Sequence, residues 1–256
     1  DVILPRSFAA GANRPPPHVA ALLAERDAGR ARKNTPQLFA CNEREAREAI
    51  ALNYGSISGI DDAIARVMAR LDALGLARNT VVIVTADHGD YMGDHQLLLK
   101  GPIHYRGLVA APFLWRDGRA RGRSAALCGT LDLAQTILAR AGAAPFNGMQ
   151  GKDMAPLFAG SSAHHDALLI EEEGQRAQVG FPSHVRVRSL VTERHRLSLY
   201  DGIDWGELYD LERDPDELTN LWDDPASGAL RAELVLRLAR KMLALSETSP
   251  NPTAVA

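Results

Sequence analysis

The sequence predicts an α/β fold followed by a smaller α+β subdomain, and three observations carry that expectation. Val81-Val82-Ile83-Val84-Thr85-Ala86 is an apolar run rich in β-branched residues, which suits a parallel strand buried on both faces. Upstream of it, Ile50, Tyr54, Ile57, Ile60, Ile64, Val67, Leu71 and Leu74 recur at spacings of three and four, one face of a helix. Beyond about residue 180 the pattern changes to alternation of apolar and polar residues, the mark of antiparallel strands with one wet face. The expected division is residues 1–165 for the α/β part and 166–256 for an α+β subdomain with an antiparallel sheet and a terminal helix.

In chain order, Pro15-Pro16-Pro17 breaks any helix, so the first forty residues read as an irregular lead-in with one short helix at His18 to Glu25. The long helix should run from Glu43 to Leu76 and stop near Gly75, before Arg78-Asn79-Thr80 turns the chain into the strand at 81–86. Leu108 to Trp115 reads as a second buried strand, and Gly118 to Gly122 as a basic turn. Leu131 to Ala141 should be a helix that buries Leu133, Ile137 and Leu138 and ends at Gly142. A Gly/Pro-punctuated connector with a helical turn at Met154 to Phe158 then leads to a strand at Ala167 to Ile170. A hairpin follows, with strands at Val185 to Val191 and Arg196 to Tyr200. Glu207 to Leu211 adds a short strand and Leu230 to Leu245 a terminal helix, while the tail from Ser246, with Pro250 and Pro252, should fray.

Composition sets bounds on function. A hydrophobic content of 46% over 256 residues is ample for a core. A net charge of -3 with scattered cations gives no footprint for nucleic acid, and no apolar run reaches membrane-spanning length, so neither partner is expected. Cys41 and Cys128 form no disulfide framework and no metal-ligand spacing; both read as reduced thiols in buried or half-buried positions. Localisation stays open between cytoplasm and periplasm, as does homo-oligomer formation.

The chemistry concentrates where the apolar run ends in Asp87-His88-Gly89-Asp90. Open α/β sheets bind ligands beyond the carboxyl ends of such strands. A carboxylate and a neutral imidazole there are good ligands for a divalent cation, and Gly89 permits a tight turn.

These residues also carry a specific likeness. The run from Asn79 to Asp90, with Met92-Gly93-Asp94-His95 and Lys100-Gly101-Pro102, resembles the second metal-binding segment of type I sulfatases, members of the alkaline phosphatase superfamily. The stretch Tyr54 to Leu74 resembles a helix of that family. Glu207-Leu208-Tyr209-Asp210-Leu211 with Asp214-Pro215-Asp216-Glu217-Leu218 and Asn220-Leu221 resembles its C-terminal signature. Three ordered motifs over roughly residues 1–245 are more specific than any one of them.

The resemblance implies part of an alkaline-phosphatase-like sheet flanked by helices, and a sulfuric ester hydrolase acting on small sulfated substrates. It implies Asp87 and His88 as two of four ligands to a divalent metal, Ca2+ foremost and Mn2+ or Mg2+ as alternatives, and Lys100 as the contact to sulfate and the leaving-group oxygen. The family nucleophile is a formylglycine made in a Cys/Ser-x-Pro-Ser-Arg motif. No such motif exists here: Cys41 is followed by Asn42-Glu43-Arg44 and Cys128 by Gly129-Thr130. The nucleophile and two early aspartates are therefore expected upstream of Asp1, with these 256 residues as the C-terminal portion, inert alone. The alternatives are a phosphonate or phosphate ester hydrolase of the same superfamily, and a non-catalytic fragment or binding module.

His104 is expected on the rim as a substrate contact; a satisfied structural histidine is the competing reading. Asp90, Asp94 and His95 are expected to orient the metal ligands. Asp61-Asp62 reads as a polar break in the long helix, Glu171-Glu172-Glu173 as a solvated edge, and His164-His165 as a polar loop lacking a third metal ligand.

Overall fold

A computed structural model of the chain describes residues 2–10, 15–33, 38–118, 121–181 and 184–247. Residues 119 and 120 of the expected basic turn, and the tail beyond 247, lie outside the described residues. The chain forms two compact units, neither contiguous in sequence. The first comprises residues 1–119, 172–187 and 213–220, the second 120–171, 188–212 and 221–256.

In the first unit the lead-in is more ordered than expected. Pro5 precedes α1 (Arg6–Ala10), and Pro17, whose missing N–H costs nothing at a helix start, opens α2 (Pro17–Asp27). Strand β1 (Phe39–Ala40) leads to α3 (Glu43–Ala73). A capping box starts α3: Asn42 Oδ1 accepts the Glu45 N–H at 3.0 Å, and Glu45 accepts the Asn42 N–H at 3.0 Å. Gly75, at φ +70°, ends it in the left-handed conformation.

The stripe expected to be the buried face of α3 is mostly exposed: Tyr54 57%, Ile57 51%, Ile60 58%, Val67 60% and Leu74 51%, with Ile50 buried. Nothing among the described residues covers it. Strand β2 (Val82–Thr85) likewise departs from the parallel, doubly buried expectation. It pairs antiparallel with β4 (Phe113–Arg116), Val82 opposite Arg116 and Thr85 opposite Phe113, and its residues are at most half-buried. The expected strand at 108–115 begins instead as a helical turn, α4 (Arg106–Val109), because Leu108 and Val109 both donate back to the Tyr105 carbonyl. Strand β3 (Leu97–Leu98) pairs antiparallel with β1, and Cys41, Ala46 and Leu98 form a small core there with Phe8 and Phe39. Burial pushes the Cys41 thiol up to about 11, so it stays protonated and unreactive at neutral pH.

In the second unit α5 (Thr130–Ala141) buries polar side chains most deeply, with the expected Leu133 and Leu138 half-buried. Asp132 and Thr136 are inside while Ile137 is 44% exposed. The burial is tolerated because each is satisfied: Thr136 donates to the Asp132 carbonyl (2.6 Å) and accepts the Met154 N–H (2.9 Å), clamping the loop before α6 (Ala155–Phe158). The final helix, α7 (Gly228–Ala244), packs Leu234 and Leu238 against Ala167, Leu190, Leu197 and Leu208.

Those apolar residues come from a four-stranded sheet ordered β5 (Ala167–Ala177), β6 (His184–Thr192), β7 (His195–Tyr200), β8 (Gly206–Asp210). The two-residue turn Glu193-Arg194 makes β6 and β7 the expected hairpin, with the Thr192 hydroxyl accepting the N–H groups of Arg194 and His195. Strands β7 and β8 pair antiparallel, His195 opposite Asp210. Strand β8 is buried throughout, whereas β6 alternates exposed and buried residues over its first half, the wet face expected of the hairpin. Among the described residues, no helix is long and apolar enough to cross a membrane.

Candidate functional site

The end of β2 brings three of the expected side chains together. Asp87 is 84% exposed, and its Oδ1 accepts the His88 backbone N–H at 2.9 Å. That bond, with the positive charge of Lys100 beside it, holds the Asp87 carboxyl below its usual range, so it is a carboxylate at neutral pH. His88 Nδ1 lies 2.7 Å from the Gly89 carbonyl and must donate to it, which leaves Nε2 as the ring's acceptor. Nε2 stands 3.4 Å from Asp87 Oδ2 and accepts from the Lys100 ammonium at 2.8 Å.

The chain from Asp90 to Gly101 is folded back to deliver Lys100. Tyr91, fully buried, donates its N–H to the Leu99 carbonyl. Its phenol lies 2.9 Å from the Ile103 carbonyl and 3.0 Å from that of Gly101, and accepts the Ile103 N–H at 3.2 Å. Met92, His95, Gln96 and Leu99 all have positive φ, a concentration of backbone strain that is common near functional sites. Asp94 and His95 tie this loop to neighbouring elements. Asp94 accepts the Ser7 hydroxyl at 2.7 Å, and His95 stacks on Tyr105 at 3.7 Å. A polar cleft of about 500 Å³ is lined by Asp94, His95, Arg106 and Glu217, among others, and not by Asp87, His88 or Lys100.

Gly89 is required for a reason other than turn conformation. Its φ is not positive; instead a Cβ would lie 2.0 Å from the Gly107 carbonyl oxygen, while its N–H donates to Leu108 at 2.7 Å. Gly89→Ala is expected to destabilise the first unit by about 1–3 kcal/mol and to swing His88 off its position. Urea denaturation with an unchanged midpoint would show that the loop absorbs the methyl without cost.

His104 is buried at 2% exposure, with Nε2 3.2 Å from Glu172 Oε2. Glu171 and Glu173 are about half exposed, as expected of a solvated edge, and pair there with Arg188 and Arg186. The sequence gives no warning of one constellation. His164 and His165 converge on Asp132, 33 residues before His165 on another element, which is too far apart for spacing to reveal.

The sulfatase family model matches residues 13–143, and the model for the C-terminal region of N-sulphoglucosamine sulphohydrolase matches residues 103–244. An arylsulfatase of Clostridium perfringens is 29% identical over 187 residues, covering 70% of this chain and 37% of its own length. A crystal structure from Bacteroides thetaiotaomicron, described as a sulfatase, superposes with a TM-score of 0.79 at 23% identity, over 100% of this chain and 55% of that chain, a likeness of fold. The phosphonate monoester hydrolase of Agrobacterium radiobacter superposes with a TM-score of 0.67 at 25% identity, over 79% of this chain and 43% of that one. The chain spans about two fifths of the length of the curated relatives it matches.

Proposed function

The chain belongs to the sulfatase family, and from that premise we propose that the whole protein hydrolyses sulfate esters, with Asp87, His88 and Lys100 forming this chain's share of the active site. A carboxylate and an ammonium lying within 3.4 Å of one imidazole nitrogen, His88 Nε2, at the end of β2 support this best. The chain division at 165/166, with the catalytic α/β part before it, belongs to the same proposal.

Asp87 and His88 fit a divalent cation. The carboxylate is ionised and exposed, and the imidazole tautomer is fixed with Nε2 toward it. Two ligands make half a site, so further carboxylates must come from elsewhere in the whole protein. A bound ion of the Ca2+ class would neutralise charge on the sulfate oxygens. Lys100 would donate to the ester oxygen as it gains charge, and the Gly89 carbonyl would keep His88 from rotating. His104 enters the same proposal as a substrate contact that Glu172 holds in place.

These 256 residues contain no Cys/Ser-x-Pro-Ser-Arg, and the formylglycine is proposed to lie in a preceding portion. The test compares this chain with a version extended by a formylglycine-bearing portion, using an aryl sulfate. Turnover is expected only in the extended protein; turnover by the 256 residues alone would overturn the proposed division of labour. The phosphonate monoester hydrolase likeness favours one second reading, phosphonate ester hydrolysis at the same groups. A higher kcat/KM for a phosphonate monoester than for the sulfate would select it.

A further inference from the structure

We propose that Asp132, His164 and His165 form a second metal site, for a divalent ion of the zinc class, within the second unit. It does not depend on the sulfatase reading. One oxygen of Asp132 and a ring nitrogen from each histidine lie within 4.8 Å of one another. His165 Nε2 is 3.0 Å from both carboxylate oxygens, and His164 Nε2 is 3.4 Å from Oδ2. The rings meet edge to face, centroids 4.6 Å apart, so that both nitrogens face one carboxylate.

The donors are already paid for by the fold. Asp132 takes the Gly129 N–H on Oδ2 and the Lys152 N–H on Oδ1, both at 2.8 Å. Each carboxylate oxygen has about two lone-pair sites, so each keeps one for a cation. Burial pushes the Asp132 carboxyl up, but the Gly129 and Lys152 amides and His165 outweigh it and keep it ionised. The decisive observation is His164. Its side chain is 5% exposed, and Nε2 makes no hydrogen bond among the described residues although it is aimed at the carboxylate. A buried imidazole nitrogen without a hydrogen bond is costly, and a cation between the three donors would satisfy it.

The donor set names the ion class. Two imidazoles and one carboxylate suit zinc and its neighbours, whereas calcium wants six or more oxygens. Water would complete a tetrahedron. The ion would staple the start of α5 to the segment leading into β5.

The test uses the 256-residue chain carrying Asp87→Ala and His88→Ala, so that only the second site is scored. After chelator treatment and confirmation of the fold by circular dichroism, zinc is titrated calorimetrically and cobalt(II) by its visible absorption. We expect about one equivalent of zinc, the ligand-field bands of tetrahedral cobalt, and a higher unfolding temperature with metal. His164→Gln and His165→Gln separate the alternatives, because glutamine can still donate to Asp132 but is a poor zinc ligand. Each should weaken zinc binding by more than roughly tenfold, at least the loss an outer-shell partner causes, while the metal-free unfolding temperature holds. Absence of stoichiometric zinc binding by the folded chain, or binding unchanged in both glutamine variants, would overturn the proposal.

Discussion

Replacing Arg196 with alanine is expected to cost the second unit about 3–5 kcal/mol, the range for breaking a buried ion pair by removing one partner. Arg196 is 2% exposed and Glu207 0%, and Nη1 reaches Glu207 Oε2 at 2.8 Å. The same nitrogen donates to Ser198 Oγ at 2.7 Å, Ser198 shares a hydrogen with Ser189 at 2.6 Å, and the guanidinium lies 4.7 Å from the Tyr209 ring centre. Alanine leaves the Glu207 carboxylate inside without its counter-charge, and the hydroxyl pair without its donor. The midpoint in urea, followed by tryptophan fluorescence, should fall accordingly. An Arg196→Leu/Glu207→Leu double variant removes both charges and should recover most of the loss. If the single and double variants fall equally, packing rather than charge holds this sheet.

The same pair shows where sequence reading stops. Alternation located β6 and β7 to within a residue or two, because period two survives whatever covers the sheet. It put the polar residues of the hairpin, Arg196 and Ser198 among them, on a wet face, and only the cross-strand register brings them within reach of Glu207. Helix α3 shows the reverse failure. Its period and its Gly75 stop are written in the residues, but a stripe of apolar side chains does not say whether its cover lies within the same chain. The antiparallel pairing of β2 was illegible for a related reason, since β-branched runs suit either direction. Asp87, His88 and Lys100 were legible because a short loop joins them, whereas Asp132 meets His164 and His165 only through folding of α5.

Lys100→Ala, made in the whole protein, is expected to lower kcat for an aryl sulfate by about 10²–10³, the effect of deleting one donor aimed at developing charge. Metal content should not fall with it. In the present arrangement the ammonium occupies the His88 Nε2 lone pair at 2.8 Å, the position a cation would take beside Asp87. Removing Lys100 frees that nitrogen, so the alanine variant should bind a divalent ion as tightly as the parent or more so. Asp87→Ala should lose both metal and turnover, because it deletes a ligand. Lys100→Arg keeps the charge but replaces a compact ammonium with a planar fork, and should recover only part of kcat. Elemental analysis alongside single-turnover rates separates these outcomes: metal lost from Lys100→Ala would make the lysine a support for the metal site, and undiminished kcat would remove it from the chemistry.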